Sequence, residues 1–220
     1  MAARRIVVWR HGQTAHNAEG RIQGQCDVPL DQVGQAQARL AAAQLAALGP
    51  AALVSSDLSR ALGTARALAA VTGLEIAVDA RLRERDFGQW EGLAMDELEE
   101  RWPGEYARWR QGEDIASVGM ESRASAGARV AAAIRQAADA GPDGSLIVVT
   151  THGGASVCGI TALLELDVRH WLGLRVMHNA HWALLERGKG RPPDWRLAGY
   201  DLGDLRAAPG TSPWASVTEK

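Results

Sequence analysis

The chain has 220 residues, of which 46% are hydrophobic and 23% charged, close to the average of folded globular proteins, so wholesale disorder is excluded. Its 24 basic and 26 acidic residues leave a net charge of −2, which gives no footing for a general nucleic-acid binder or a polybasic membrane binder. Two cysteines, Cys26 and Cys158, are too few for a disulfide scaffold or a Cys-based zinc site. A reduced, cytoplasmic setting is the expectation. The N-terminal run turns polar at Arg10-His11-Gly12 and does not read as a signal peptide. The most apolar stretch, Leu40 to Val54, is broken by Gln44 and Gly49-Pro50 and is too short to span a bilayer.

In chain order, Ile6 to Trp9 is a short apolar run rich in β-branched residues, predicted to be a buried strand. Asp31 offers an N-cap to a helix in which Leu40, Ala43, Ala47 and Leu48 recur until Gly49-Pro50 stops it. Leu53 to Ser55 predicts a second strand. Ser56 or Asp57 is the expected cap of a second helix, with Leu58, Ala61, Leu62, Ala65 and Leu68 on one face and an end at Gly73. Glu75 to Asp79 reads as a third strand. Residues 82 to 121 break this rhythm and read as an excursion, a lid or substrate wall in which Trp90 and Trp109 are candidate wall residues. A long Ala-rich helix is predicted over Ser122 to Ala140. A buried strand follows at Leu146 to Thr151, then a helix through Leu164. Trp182 to Arg187 and Trp195 to Tyr200 read as a closing hairpin, and residues 206–220 as a loose tail beyond one domain over residues 1–205. Strands alternating with helices argue for an α/β fold, a mainly parallel sheet covered by helices on both faces.

Ligands of such sheets gather beyond the carboxyl ends of the strands. Two strands end in a histidine beside glycine, Arg10-His11-Gly12 and Thr151-His152-Gly153-Gly154, and a third leads into Ser55-Ser56-Asp57-Leu58-Ser59-Arg60. Glycine lets backbone N–H groups approach a ligand, a helix N-terminus adds positive partial charge, and arginine presents a planar fork matched to phosphate oxygens. Two histidines, two arginines and two helix N-termini at one sheet edge make an anion site suited to a phosphoryl group. No metal is called for. His16 reads as a surface or supporting residue, and His170, His178 and His181 show no ligand pair at helical spacing.

Arg10-His11-Gly12-Gln13-Thr14 with Asn17 resembles the signature of the histidine phosphatase superfamily, the phosphoglycerate mutase-like fold. The resemblance continues through Gln23-Gly24-Gln25-Cys26-Asp27, Leu30 to Gly34, Ser55 to Ala61, Leu82-Arg83-Glu84, Gly88 to Gly92, Glu121-Ser122, Thr151 to Gly154 and Asn179-Ala180. His181 departs from the serine common after that asparagine. Within the family, the sequence is most similar to bacterial phosphatases acting on glucosyl-3-phosphoglycerate. The resemblance implies a three-layer αβα sandwich around a mixed sheet. It implies that His11 is the phosphoryl-accepting nucleophile and that Arg10, Asn17, Arg60 and His152 line the phosphate pocket. Gln23, Gly24, Gly153 and Gly154 would be outer contacts, and Glu84 the general acid and then base. Glu91 is read as structural.

A phosphatase of small phosphate monoesters that works through a phosphohistidine without cofactor or metal is thus expected. Its partner would be a small phosphorylated metabolite, with no nucleic acid or membrane partner, and the oligomeric state is left open, a homodimer included. Mutases of the family carry a longer Arg- and Pro-rich insertion after the acid, which residues 84 to 121 lack, although Arg85 could grip a substrate carboxylate as in mutases. A non-catalytic phosphate-binding module would have lost His11 or Glu84. Arg83, Arg85, Arg108, Arg110 and Arg123 suggest an acidic phosphoester such as a phosphorylated sugar acid.

Overall fold

The computed structural model describes residues 2–188 and 190–203. Among these residues six strands form one sheet: β1 (Arg5–Arg10), β2 (Ala52–Ser55), β3 (Ile76–Val78), β4 (Leu146–Thr151), β5 (Trp182–Arg187) and β6 (Trp195–Leu202). Their spatial order is β3-β2-β4-β1-β5-β6. The first four run parallel, whereas β5 adds antiparallel to β1 and β6 antiparallel to β5 at one side, as the predicted hairpin. β1 and β4 lie at the centre and carry unbroken apolar runs, residues 6–9 and 146–149, as strands buried on both faces do.

Among the described residues, seven α-helices accompany the sheet: α1 (Ala15–Ala18), α2 (Gln32–Ala46), α3 (Ser59–Thr72), α4 (Met95–Arg101), α5 (Pro103–Arg110), α6 (Arg123–Ala140) and α7 (Gly153–Leu163). One face of the sheet buries Val7, Trp9, Leu53 and Val148 against Ala41, Leu45, Ala65 and Leu68 of α2 and α3. The other buries Ile6, Val8, Ile147 and Val149 against Val130, Ile134, Ile160 and Leu163 of α6 and α7. Alternate residues of each strand thus serve opposite helix layers, which gives the αβα sandwich. Asp31 caps α2 through the Gly34 N–H, and Gly73 ends α3 at φ 73°, both as expected. No helix among the described residues is long and apolar enough to cross a membrane.

Two expectations need correction. Neither Ser56 nor Asp57 caps α3. The helix begins at Ser59 with Leu58 as an N-cap that makes no side-chain bond, because Ser56 faces His152 and Asp57 takes a bidentate bond from Arg83. The excursion is more than a wall: Trp90 is fully buried at the heart of a small cluster with Ile22, Leu98, Ile115, Val118 and Met120, so it cannot line a ligand site. The expected tail at 206–220 lies outside the described residues.

Candidate active site

Register places the site. Arg10 pairs with Thr151 across β1 and β4, so His11 and His152 emerge side by side where the two central parallel strands end. Their ring centroids are 5.2 Å apart. β2 ends on the other side of β4 and leads through Ser56 to Arg60 in the first turn of α3. Loop geometry after β1 depends on two interlocked glycines. A Cβ on Gly12 would lie 2.4 Å from the Gly34 carbonyl oxygen, and one on Gly34 would lie 2.0 Å from that of Gln13. Gln37 of α2 also accepts the Gln13 N–H at 2.9 Å.

The hydrogen bonds assign the histidine tautomers. The Gly12 carbonyl only accepts, so Nδ1 of His11, 2.6 Å away, carries the proton and Nε2 keeps the lone pair. The Arg60 Nε–H only donates, so Nδ1 of His152 accepts it at 3.1 Å, and Nε2–H of His152 donates to Ser56 Oγ at 2.9 Å. Burial, then Arg60, and for His11 then Arg10, hold both imidazoles well below the usual histidine range. Both rings are therefore neutral near pH 7 in the unliganded chain.

Arg60 is fully buried and spends three of its five N–H groups on the protein: Nε on His152, Nη1 on the Cys26 carbonyl at 2.7 Å and Nη2 on the Gly24 carbonyl at 2.7 Å. One N–H on each terminal nitrogen remains for a ligand. Arg10 donates through Nη1 to the Met177 carbonyl, while its buried Nε has no partner. Burial lowers the Arg10 guanidinium to about 10, with Glu84 and Asp201 pulling the other way, so it stays charged at neutral pH. A buried guanidinium N–H without an acceptor is costly unless an anion arrives to take it.

Glu84 lies at the N-terminus of α7. Its carboxylate accepts N–H bonds from Gly154 at 2.9 Å, Ala155 at 2.6 Å and Arg85 at 2.9 Å, which fix where both oxygens sit. Asn17 and Gln23 meet through Thr14: Oδ1 of Asn17 accepts from the Thr14 N–H and Gln23 Oε1 from the Thr14 hydroxyl at 2.9 Å. Asn179 donates to Asn17 and to the His11 carbonyl, tying the loop before β5 to the nucleophile position. Gly24 sits at φ 51°, and its absent Cβ leaves room for Glu91, whose carboxylate accepts the Gln25 and Phe87 N–H groups. The structural reading of Glu91 agrees with that geometry. Gly153 opens α7 directly beside Arg10 Nε.

Beyond Glu84, a cavity of about 210 Å³ is lined by Arg85, Phe87, Trp109, Arg123 and Gly154 among others. Arg85 pairs with Asp114 and the Glu121 carbonyl, yet its Nε is buried without a partner, as is Nη2 of Arg123. Arg83 is spent on Asp57 and Arg108 on Glu113, and neither they nor Arg110 line this cavity. Cys158 also borders it, but burial pushes its thiol up, as burial and Glu91 do for Cys26, so neither is a poised thiolate.

Two supporting residues escaped the sequence. Ser56 orients His152 but looks like a helix cap in the sequence. Arg129 of α6 donates to the carbonyls of Arg81, Arg83 and Glu84 and forms a bidentate pair with Glu121. It stands in an Ala-rich helix with no motif around it.

The sequence model of the histidine phosphatase superfamily (branch 1) matches residues 6–198. The chain belongs to that superfamily. A glucosyl-3-phosphoglycerate phosphatase of Mycolicibacterium vanbaalenii is 41% identical over 211 residues, 90% of this chain and 94% of the relative. The solved structure of a mycobacterial glucosyl-3-phosphoglycerate phosphatase complexed with VO3 superimposes with a TM-score of 0.82 at 38% identity, covering 91% of this chain and all of that one. A probable phosphoglycerate mutase of Yersinia pestis is 36% identical over 198 residues, 89% of each chain. Among histidine phosphatases this chain is a phosphoric monoester hydrolase.

Proposed function

We propose that this enzyme hydrolyses small phosphorylated sugar acids, with glucosyl-3-phosphoglycerate as the leading substrate, by two in-line displacements at His11. The observation that carries the reading is the His11 tautomer. A buried imidazole that donates Nδ1–H to the Gly12 carbonyl and stays neutral presents Nε2 as a lone pair beside two arginines. Phosphoryl transfer needs positioning and positive charge more than it needs covalent ingenuity. Arg10 Nε and the spare Arg60 N–H groups hold the equatorial oxygens, and Asn17 and Gln23 close the rim. In the first step Nε2 bonds to phosphorus as the ester P–O bond breaks, and the leaving oxygen takes a proton from Glu84. In the second, water attacks phosphorus, gives a proton to the Glu84 carboxylate, and the P–N bond breaks to free inorganic phosphate. His152 spends both ring nitrogens on the protein, Nδ1 on the Arg60 Nε–H and Nε2–H on Ser56, so its part is to hold the Arg60 guanidinium beside His11. In the cavity beyond, Arg85 Nε and Arg123 Nη2 supply donors for a carboxylate, and Trp109 a flat apolar face for a sugar ring.

Rapid acid-free quenching of the working enzyme, followed by peptide mapping, tests the mechanism. Phosphate on His11 is expected. Phosphate on His152 would exchange the two roles, and none on either would mean direct attack by water. The mutase reading rests on the Yersinia relative. Incubation with 3-phosphoglycerate and a bisphosphoglycerate primer separates the two: release of inorganic phosphate supports the phosphatase, and 2-phosphoglycerate the mutase.

A further inference from the structure

The phosphate site leaves one cluster of ligand-type side chains unused. The loop between Met177 and β5 carries His178 and His181, and the end of β6 brings Asp201 against it. Nδ1 of His178 lies 2.6 Å from Oδ2 of Asp201, and the His178 backbone N–H donates to Oδ1 at 2.8 Å. Nδ1 of His181 lies 3.1 Å from Oδ1 and 3.0 Å from the Asp201 carbonyl oxygen. One ligand atom from each residue lies within 4.8 Å of the other two, and among the described residues no other trio of His, Cys, Asp or Glu does this. The trio is assembled from two distant chain segments, and Asp201 occupies the left-handed region at φ 53° to reach it.

We propose that His178, His181 and Asp201 form a binding site for a divalent transition-metal ion of the zinc class. Two imidazoles and one carboxylate match the ligand preference of zinc, cobalt and copper, and water fills the remaining position. Calcium and magnesium, which take six or more oxygen ligands, do not fit. The spacing is close to what a metal demands. Tetrahedral bonds of about 2.0–2.1 Å place ligand atoms about 3.3–3.4 Å apart. His181 Nδ1 stands 3.1 Å from Oδ1 of Asp201 and His178 Nδ1 2.6 Å from Oδ2, so to share a metal through one oxygen the carboxylate has to turn that oxygen between the two rings, which lie within 4.8 Å of each other, and His178 has to rotate outward by less than about 1 Å. The His178 side chain, 49% exposed, is free to make that rotation. The ligand loop also backs the phosphate site. Ala180 N–H and Asn179 both donate to the His11 carbonyl, Arg10 N–H donates to the His181 carbonyl, and Met177 accepts from the Arg10 side chain.

The test is zinc binding to the full chain after removal of metals by a chelator. Wild-type protein is expected to bind one zinc per chain at this site in equilibrium dialysis. His178→Ala and Asp201→Asn should each weaken it by at least about tenfold, the loss seen even when partners outside the ligand set are disturbed. His11→Gln should leave it unchanged. Copper-loaded wild-type protein should show two coordinated nitrogens by electron paramagnetic resonance, and His181→Gln one. Unweakened binding in His178→Ala and Asp201→Asn, or loss in His11→Gln, would move the ion elsewhere and overturn the proposal. So would a copper spectrum of the wild type without nitrogen coupling, which would leave the trio a hydrogen-bonded cluster only.

Discussion

Burying two neutral histidines makes the stability of this enzyme sensitive to mild acid. His11 and His152 both sit well below the free value of about 6.5 in the native chain, through burial first and the arginines second. Unfolded, each takes up a proton as the pH falls through that value; folded, neither does. The unfolded state then binds more protons, so stability rises with pH across this window and is lost on acidification. For a native histidine that stays neutral, the loss between about pH 7.5 and about pH 5.5 is about 1.4 kcal/mol, and for the pair about 2.7 kcal/mol. That is a large fraction of the roughly 5–15 kcal/mol that holds a domain together. With a urea dependence of about 2–3 kcal/mol per molar, the unfolding midpoint should drop by about 1 M. The lowered carboxylates Asp57, Asp79, Glu121 and Asp201 act only nearer their unfolded values of about 4, below this window. The assay is urea unfolding in a buffer without phosphate, which would otherwise bind the native state. His152→Gln should halve the drop, and the difference between the two proteins isolates that one ring. A midpoint that is flat in the wild type over this range, or a drop that His152→Gln leaves unchanged, would mean that the rings are not held neutral.

Three further outcomes follow from the same geometry. Glu84→Gln should slow phosphorylation of His11 by alkyl phosphates by about 10²-fold or more, yet nearly spare the first step with nitrophenyl phosphate, whose leaving group needs no proton; single-turnover rates decide, and Glu91→Gln should do little to either. Arg60→Met strands the Gly24 and Cys26 carbonyls and Nδ1 of His152, so it should cost about 3–5 kcal/mol in denaturant unfolding, and a loss under about 1 kcal/mol would contradict the three bonds. Arg85→Met should raise KM about tenfold for phosphorylated sugar acids and leave nitrophenyl phosphate nearly unchanged, since one charge-assisted bond is worth about 1.5–3 kcal/mol; equal effects on both would place the carboxylate elsewhere.

The sequence exposed those parts of the molecule that rest on local chemistry. β1 and β4 are legible because strands buried on both faces carry unbroken apolar runs, and Asp31 and Gly73 are legible because capping uses few residue types. His11, Arg60 and His152 could be placed together because strand ends converge in a parallel sheet. What stayed hidden depends on contacts between distant segments. Ser56 forfeits its expected capping role because His152, 96 residues away, claims its hydroxyl. Trp90 looks like a wall from its neighbours in sequence, but Ile22, Leu98 and Ile115 enclose it. The meeting of Asp201 with His178 and His181 needs β6 to return beside β5, which no spacing along the chain reveals.

Arg129 gives the substrate wall a modular character. Its guanidinium holds the three carbonyls around Glu84 on one side and the Glu121 carboxylate on the other. The Glu121 N–H closes on the Asp86 carbonyl at 2.8 Å, so the two ends of the intervening segment are stitched to each other. A stretch of chain clamped at its base in this way can change in sequence and length without displacing the acid. Evolution, or a designer, can therefore rewrite what the enzyme accepts while the acid stays in place, provided that Glu91, which holds the Gln25 N–H beside Gly24, and Trp90, packed on Ile22, are kept.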